Sequence, residues 1–374
     1  MAFMTEISKK SAVKTFSPII IHHICIVFGK SYSQTTLKML KFKKQTPVQV
    51  LLGFLTVLVL QVSCKNDIDI NADWKETMVI YGILEPGLEQ QKIRVSKAFQ
   101  NGKTSALVAA KISDSLFLDT VNVTLTNLKT GIEYKLVPQF NEPKEPGIFA
   151  NDKNPIYVLD SAIHGHVIDP DVDYKIEVVN PKTGSTAFSK TRSMGFANLA
   201  APVIADNSIF NIGQNFSFAI NPGRNAYSYD GKMDVTIKEW STITKDTTEQ
   251  VIRWNYLTDF IVNQGSSAAI RRIPRISFLQ LLSSVYKKNK DLHRRIERLD
   301  FVTFGGNQQL YDFISVNEPA IGIVQKQTEY SNIVNGYGLF ASRTEQWFYN
   351  CVPHNGLIGV IRSDSETKDL NFEF

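Results

Sequence analysis

A mainly β fold, with an antiparallel sandwich followed by a second β-rich part, is predicted by two similar hairpins and by alternating apolar residues along much of the chain. Each hairpin has a strand of alternating apolar and polar residues, then the turn Asn-x-Lys-Thr-Gly at 127–131 or 180–184, then a second short strand. Alternation gives a strand one apolar face, and a glycine at the end of the turn lets the chain reverse. Two such hairpins favour stacked antiparallel sheets.

Two strands are predicted before the first hairpin. Residues 77–83 have apolar side chains at almost every position, which is typical of a strand that is buried on both faces. Ile93 and Val95 alternate with polar neighbours, so this second strand is expected to be half-buried.

A turn at 168–174 adds a more specific signal. Ile168 is followed by Pro170, and Tyr174 comes four residues after that proline. The arrangement resembles the tyrosine corner of immunoglobulin-like and fibronectin-type domains, where the tyrosine hydroxyl forms a hydrogen bond back across the turn. The resemblance implies one immunoglobulin-like sandwich over residues 76–195.

A second β-rich part is predicted over residues 196–374. An apolar stretch of small residues that contains Pro202 is expected to form the boundary. Apolar and polar residues alternate around Phe218, around Val235 and over 251–256, and each of these segments is predicted to be a strand.

Two short helices are predicted within this second part. Ser277 and Gln280 have the spacing of a capping box, which places a helix start at Ser277. Asn307 precedes Leu310 and Phe313, which lie at helical spacing, so a second helix is expected to begin after Asn307.

Residues 1–63 are predicted to be an upstream extension and a lipoprotein signal peptide. A basic stretch precedes the uninterrupted apolar run 50–60, and Gln61-Val62-Ser63-Cys64 follows it. The run is shorter than the roughly 17 residues that a short transmembrane helix needs, so a cleaved signal is favoured over a membrane anchor. Cys64 is the expected first mature residue with a lipidated thiol, and residues 64–75 are the expected tether.

The charge distribution argues against a nucleic-acid-binding protein, and the cysteine content argues against a protein stabilised by disulfides. The chain has 41 Lys and Arg against 36 Asp and Glu, but eight lysines and one glutamate precede Cys64, so the remainder has a net charge of −2. The overall basicity therefore belongs to the leader and does not indicate nucleic acid as a partner. After processing, Cys64 and Cys351 are the remaining cysteines. A lipidated Cys64 leaves no intramolecular disulfide to form, so a packed core must stabilise the fold.

The segment Asn332-Ile333-Val334-Asn335-Gly336-Tyr337-Gly338-Leu339-Phe340 carries a family resemblance. It is similar to an uncharacterised Bacteroidota outer-membrane lipoprotein family with a leading β-sandwich, whose members often lie beside TonB-dependent receptors. The physical expectation is a turn at Asn335-Gly336, close backbone approach at Gly338, then a core strand. The resemblance implies a lipid-anchored outer-membrane protein on the cell surface. It does not imply any particular activity.

Candidate catalytic and metal-binding patterns are weak. His164 and His166 with nearby aspartates could supply metal ligands, but a surface loop is favoured. The spacing of Asp169, Asp171 and Asp173 matches the start of a calcium loop, but the glycine and the final glutamate of such a loop are missing. We therefore predict no catalytic, cofactor-binding or metal-binding residue and no cofactor.

Two further features of the sequence are candidate sites. Cys351 and His354 could form a thiol–imidazole pair, but a lone thiol in a Pro-Gly loop over 351–356 is favoured. Residues 271–298 carry nine Lys and Arg against two acidic residues, which could contact an anionic surface or could be a solvated face.

The sequence as a whole favours a non-catalytic binding or accessory module on the outer membrane. Its expected partners are the membrane, through the lipid on Cys64, and either an outer-membrane transporter or a glycan. The alternative is a surface hydrolase that acts on polysaccharide or peptide, with carboxylates from distant loops. A purely structural envelope protein is a third hypothesis, which the absence of a pocket would favour.

Overall fold

The structure is a computed structural model that describes residues 76–98, 106–118, 120–140, 142, 146–150, 154–164, 168–201, 208–209, 215–263, 268–318 and 329–374. Cys64, the predicted signal peptide and the predicted tether lie outside these residues. Residues 75–374 form one compact unit. Within the described ranges, no helix combines the length and the apolar character needed to cross a bilayer.

Strands dominate the described part of the chain. They are β1 (Met78–Leu84), β2 (Gln90–Lys97), β3 (Asn122–Asn127), β4 (Glu133–Lys135), β5 (Val137–Gln139), β6 (Ile156–Asp160), β7 (Asp173–Val179), β8 (Thr186–Arg192), β9 (Asn198–Ala201), β10 (Ser208–Ile209), β11 (Asn215–Asn221), β12 (Ser228–Ser241), β13 (Thr247–Ile261), β14 (Ala269–Pro274), β15 (Leu292–Gly306) and β16 (Gly336–Pro353). The α-helices are α1 (Ala106–Ala109), α2 (Ser113–Leu116), α3 (Ser161–His164), α4 (Arg275–Val285), α5 (Gln308–Asn317) and α6 (Asn355–Ser363), and a 3₁₀ helix spans Lys368–Leu370.

These strands form three sheets. The large sheet has the order β13-β12-β15-β16-β1-β2-β6-β5, with β10 also paired to β16, and the smaller sheets have the orders β4-β3-β7-β8 and β14-β11-β9. Pairing is antiparallel except where β16 pairs with β1 and with β10. The predicted mainly β fold is confirmed, but the large sheet is mixed rather than wholly antiparallel.

The first hydrophobic core lies between the four-stranded sheet and part of the large sheet. Met78 and Ile80 of β1 pack in one cluster with Leu125 of β3 and Ile176 of β7. Phe340 of β16 belongs to the same cluster, although it lies far along the chain. This arrangement is a β-sandwich that the C-terminal third of the sequence helps to complete.

The second core lies between the three-stranded sheet and the other half of the large sheet. It joins Met233 and Val235 of β12 with Phe218 of β11, Leu279 of α4 and Ile361 of α6. The apolar residues alternate along β11 and along much of β12, so the predicted strands in this part are confirmed.

Up to Ala187 the buried residues of these two clusters belong to the first core, and Met194 is the first that belongs to the second core. This position is close to the predicted boundary at 195/196. The large sheet nevertheless continues across that position, because β16 pairs with both β1 and β15. Whether residues 76–195 and 196–374 fold independently stays a prediction. In the structure they share one sheet and one compact unit.

Both predicted hairpins are confirmed, and their turns have the same construction. β3 pairs with β4 across the first turn, and β7 pairs with β8 across the second. The side-chain oxygens of Asn127 and Asn180 accept hydrogen bonds from backbone N–H groups two residues on. The backbone oxygens of these asparagines accept from Gly131 and Gly184. The asparagine side chain thus satisfies turn amides that the strands leave unpaired.

The predicted tyrosine corner is also confirmed. The Asp169 backbone N–H donates to the Tyr174 hydroxyl at 2.9 Å, and the Asn127 side chain donates to the same oxygen at 3.3 Å. Tyr174 is fully buried, and burial raises the pKa of its phenol to about 12. The hydroxyl therefore stays neutral and joins the turn to the first hairpin.

We expect Tyr174→Phe to lower the free energy of unfolding by about 1–2 kcal/mol, because the Asp169 N–H and the Asn127 side-chain amide lose their shared acceptor, a buried hydroxyl. Tyr337→Phe is the matched control, since Tyr337 is 53% exposed, and its effect should stay within about 0.5 kcal/mol. Urea denaturation of both variants measures the difference. Equal effects of the two substitutions would contradict the structural role of the corner.

The segment that carries the family resemblance forms the predicted turn and strand. Asn335 has a φ of 57°, and β16 begins at Gly336. A Cβ on Gly338 would lie 2.0 Å from the Ile80 carbonyl oxygen, and Gly338 has a φ of 118°. The Asn332 side chain accepts from the Phe340 N–H and donates to the Phe340 carbonyl. Close approach at Gly338 is therefore what allows β16 to pair with β1.

Two predictions about helices need correction. The capping box at Ser277 is wrong, because α4 begins at Arg275 directly after β14, with Pro274 as its N-cap and no side-chain cap. The Ser277 hydroxyl instead donates to the Pro274 carbonyl. By contrast, the helix start after Asn307 is confirmed, since the Asn307 side chain accepts from the Leu310 N–H.

The predicted loop over 351–356 is also wrong. β16 continues to Pro353, and His354 caps α6 by accepting from the Gly356 N–H. Leu357 and Ile361 of α6 are buried in the second core. Proline and glycine suggested a loop, whereas here they end a strand and open the first turn of an amphipathic helix.

Candidate functional site

A cavity of about 240 Å³ lies between the end of the three-stranded sheet and the large sheet. Its buried floor consists of Ile220 of β11, Tyr229 of β12, Thr303 of β15 and Thr344 of β16. Phe196, which is 61% exposed, lies at its rim. Strands from both sheets converge here, so the cavity belongs to the folded scaffold rather than to one loop.

Three consecutive residues of β16 form one wall of the cavity. They are Thr344, Glu345 and Gln346, and they pair with Gly305, Phe304 and Thr303 of β15. Beyond Ser342 this part of β16 no longer pairs with β1. The wall is therefore the continuation of the strand that joins the two cores.

The absence of a side chain at Gly305 leaves room for the cavity floor. A Cβ at this position would lie 2.7 Å from the Tyr229 ring and 3.0 Å from the Thr344 hydroxyl. Contacts this short require the neighbours to move, so Gly305 is needed for Tyr229 and Thr344 to hold these positions.

Two phenols near the floor are fixed and uncharged. The Tyr229 hydroxyl accepts from the Gly223 N–H at 3.0 Å, and burial raises the pKa of Tyr229 to about 12. Tyr256 lies 3.2 Å from the Thr303 hydroxyl oxygen, and burial raises its pKa further above the ordinary value. Neither phenol supplies a charge at neutral pH.

Glu345 is one of the residues that line the cavity, and both oxygens of its carboxylate are engaged. Glu345 Oε1 lies 2.8 Å from Arg343 Nη2, and Glu345 Oε2 accepts from the Trp347 indole N–H at 2.9 Å. Both oxygens therefore have hydrogen-bond donors, and Arg343 offsets part of the negative charge.

Arg343 also binds a second, more deeply buried carboxylate. Its Nε donates to Glu85 Oε2 at 2.8 Å, and the Glu85 side chain is 8% exposed. Burial raises the pKa of Glu85, Arg343 lowers it, and Glu345 raises it, with burial the largest cause. Gln91 fixes the backbone of Glu85 through two hydrogen bonds of 2.9 Å each.

The amide of Gln346 is the exception in an otherwise paired wall. Its Oε1 is shielded from solvent and has no hydrogen-bond partner among the described residues. An unpaired buried acceptor costs free energy, so its presence beside a cavity calls for an explanation. The oxygen has almost no surface open to a molecule of the size of water.

Other residues singled out in the sequence do not assemble into sites. Asp171 binds Arg192 and Arg224, and the Asp169 carboxylate accepts from Asn127. The His164 ring lies edge-on to Tyr134, while His166 is outside the described residues. Across the described ranges, no cluster of three or more His, Cys, Asp or Glu side chains is arranged to hold a metal.

Cys351 and His354 do not form a pair with each other. The thiol is buried at 2% exposure and lies 3.7 Å from the Tyr349 carbonyl, and burial raises its pKa. The His354 ring accepts from a backbone N–H instead. Cys351 is a buried thiol, as expected for a structural position.

The basic segment 271–298 is partly neutralised by ion pairs. The paired side chains are Lys288 with Asp369, Arg294 with Glu239, Arg295 with Glu297, and Arg298 with Asp300. A continuous patch for an anionic surface is therefore weaker than the sequence suggested.

Sequence reasoning missed Arg343, Glu345 and Gln346. One signal was available, because Arg-Thr-Glu-Gln at 343–346 follows the apolar run Leu339-Phe340-Ala341 after a single serine, within a predicted core strand. Charged and amide side chains in such a strand must either be paired or serve a site. The partner Glu85 could not be identified, because 258 positions separate it from Arg343.

No family model matches this sequence, and no curated protein matches it. Among solved structures, the C-terminal globular domain of an oligosaccharyltransferase from Pyrococcus abyssi aligns at 11% identity and a TM-score of 0.18, over 58% of this chain and 44% of that one. The chain thus spans less than half of that structure.

Two other structures give similar values. The FN1–FN3 domains of chicken CNTN1 align at 8% identity and a TM-score of 0.16, over 73% and 64% of the two chains. CBD12 from CALX1.2 aligns at 10% identity and a TM-score of 0.16, over 72% and 100%. With TM-scores this low, none of the three assigns a function.

Proposed function

We propose that this protein is an outer-membrane lipoprotein, anchored by a lipid on Cys64, that acts as a non-catalytic binding or accessory module. Its partner in the membrane is a TonB-dependent transporter. The proposal takes its location from the N-terminal signal and the family resemblance, and its mode of action from the cavity.

The observation that best supports a binding role is that both oxygens of the Glu345 carboxylate already have partners. Glu345 is one of the residues that line the cavity, and Arg343 and Trp347 engage both oxygens of its carboxylate. A general base needs a free oxygen within hydrogen-bond reach of the proton that it removes. A cavity with polar groups, an aromatic rim and an engaged carboxylate is suited to hold a ligand rather than to cleave it.

One observation favours the alternative, a surface hydrolase that acts on polysaccharide or peptide. Glu85 and Glu345 both bind Arg343, through its Nε and Nη2 respectively, and the pKa of Glu85 is raised. Two carboxylates with different environments are the usual acid and base of glycoside hydrolysis. However, Arg343 engages both carboxylates, and Glu85 is not among the residues that line the cavity.

Co-purification tests the proposed function. The tagged full-length chain is extracted from outer membranes with a mild detergent, and the expected result is recovery of a transporter in a fixed ratio. Cys64→Ser is the control. This variant should be lost from the membrane fraction, and no transporter should be recovered with it. Recovery of the wild type as a free monomer under the same conditions would contradict the accessory role.

A turnover assay separates the two candidate functions. The purified chain is incubated with polysaccharides and with peptides, and the expected result is that both are recovered intact. Fragments that appear with the wild type and with Glu249→Gln, an exposed control, but not with Glu345→Gln, would establish the hydrolase instead.

A further inference from the structure

The outermost strand of the large sheet has one edge without a partner strand among the described residues. β13 pairs with β12 along one side, and no described strand pairs with its other side. From Thr247 to Asn255 the pairing with β12 keeps a single register, and the register shifts lie beyond Asn255. This nine-residue segment therefore presents a regular row of backbone N–H and C=O groups, which is a template for a further strand.

Other sheet edges have protective features that this segment lacks. The opposite edge of the large sheet is β5, which has three residues and contains Pro138. β14, an edge of the three-stranded sheet, ends at Pro274 and carries Arg271 and Arg272 next to each other. Short length, proline and clustered charge keep an exposed edge from pairing with another chain. Residues 247–255 contain no proline and no lysine.

The exposed face of the segment is complementary to itself. Alternate residues of a strand share a face, so the exposed side chains of Glu249, Val251 and Arg253 lie in one row. Val251 is 53% exposed and lies at the centre of the nine residues. If a second copy pairs antiparallel about Val251, each Glu249 lies opposite the other copy's Arg253, and the two valines face each other. No other antiparallel register of the two strands places Glu249 opposite Arg253.

The two charged side chains are able to form these contacts. Glu249 is exposed, and no described residue forms an ion pair with it. The Arg253 side chain is 50% exposed and binds Asp234 through Nε at 2.6 Å and Nη2 at 2.8 Å. A guanidinium has five N–H donors, so one arginine is able to bind carboxylates on two strands. Opposite charges that face each other across an antiparallel pair stabilise the pairing.

We propose that two copies of this chain associate edge to edge through β13, antiparallel and centred on Val251. The large sheet then continues from one copy into the other. The dimer has two-fold symmetry, so the Glu249–Arg253 contact occurs twice and Val251 lies on the axis. This association goes beyond the proposed function and does not depend on the lipid anchor or on the transporter.

Cysteine cross-linking tests the position of the axis. The full-length chain with Val251→Cys is oxidised mildly in detergent, and a covalent dimer is expected. Cβ atoms that face each other across an antiparallel pair lie about 4.5–5.5 Å apart, close to the roughly 3.5–4.5 Å that a disulfide needs. The wild type treated in the same way gives the background. Ile270→Cys is the matched control, because Ile270 is 61% exposed on the edge strand β14, and this variant should not cross-link above the background.

Two charge variants test the contact between Glu249 and Arg253. Glu249→Lys places like charges at both contacts, and so does Arg253→Glu. In sedimentation experiments each variant alone should have a dissociation constant at least about tenfold above that of the wild type. An equimolar mixture of the two should regain the dimer, because each contact in the mixed pair again joins a positive and a negative side chain.

Val251→Lys guards against a folding defect in Arg253→Glu, which places a carboxylate beside Asp234. Two lysines at the axis should weaken the dimer by about tenfold or more. Because Val251 is exposed, the unfolding temperature of the dilute variant should stay within about 2 °C of the wild type. Dilute protein is used because association itself raises the apparent stability.

Four results would overturn the proposal. They are a wild type that stays monomeric at about 100 μM, well above the concentrations at which weak specific dimers form, a Val251→Cys variant that gives only background cross-linking, an Ile270→Cys variant that cross-links equally well, and Glu249→Lys and Val251→Lys variants that sediment like a dimeric wild type.

Discussion

Arg343→Met is expected to lower the free energy of unfolding by about 3–5 kcal/mol at neutral pH. The substitution leaves Glu85 buried at 8% side-chain exposure without its counter-charge. It also releases Glu345, whose Oε1 binds the same guanidinium. Urea denaturation of wild type and variant gives the difference directly.

The same substitution should make stability more dependent on pH. The pKa of Glu85 in the folded protein is raised by burial, so the folded state holds this proton more tightly than the unfolded state. Stability therefore falls as pH rises from the unfolded pKa through the folded pKa. Because Arg343 lowers the pKa of Glu85, its removal raises the folded pKa further and widens this window. The destabilisation should be larger at about pH 7.5 than at about pH 5.

Arg253→Met is the control for this prediction. Arg253 pairs with Asp234 on the sheet surface, where the two side chains are 50% and 25% exposed. Its loss should cost less than about 1 kcal/mol and should show little pH dependence between these values. Equal costs for Arg343→Met and Arg253→Met would contradict the importance of the buried network.

Gly338→Ala should be strongly destabilising, with a loss of about 4 kcal/mol or more. The added Cβ would lie 2.0 Å from the Ile80 carbonyl oxygen, and a φ of 118° is strained for alanine. The clash falls where β1 and β16 pair in parallel, with Ile80 opposite Gly338. Soluble yield and urea denaturation measure the effect.

Gly359→Ala is the matched control and should act in the opposite direction. Gly359 lies inside α6, and a Cβ there would meet no atom within 4 Å. Alanine in a helix interior is favoured over glycine by about 0.5–1 kcal/mol, so a gain of this size is expected. A Gly338→Ala variant with wild-type stability would refute the close approach of β1 and β16.

Local signals explain what the sequence could predict. The turns after Asn127 and Asn180 and the corner at Tyr174 depend on residues within a few positions of each other, so their patterns are readable from the chain. Asn307 as a helix start is equally local. Alternation likewise predicted strands such as β11, because burial on one face has a period of two.

Pairing between distant segments explains what the sequence could not predict. Met78 pairs with Gly336, and Arg343 binds Glu85 across 258 positions. The alternation of apolar and polar residues indicates that a strand has a buried face, but it does not indicate which strand lies beside it. The first sandwich therefore looked complete by residue 195, whereas Phe340 belongs to its core. The cavity was missed for the same reason, because one of its walls is the part of β16 that follows the segment paired with β1.

Local sequence signals predicted the wrong structure at two places. Pro353 and Gly356 suggested a loop, but α6 starts between them and buries Leu357 and Ile361. Ser277 and Gln280 have capping-box spacing, yet β14 leads into α4 at Arg275. In both cases tertiary packing of an apolar face decided where the helix begins, and local propensity did not.

The proposed function depends first on the lipid anchor, and mass spectrometry of the N-terminal peptide from membrane-extracted protein tests this anchor most directly. The expected result is a chain that begins at Cys64 and carries the mass of thiol-linked acyl chains. A free Cys64 thiol, or a chain that retains residues 1–63, would contradict the anchor and with it the proposed partnership in the outer membrane.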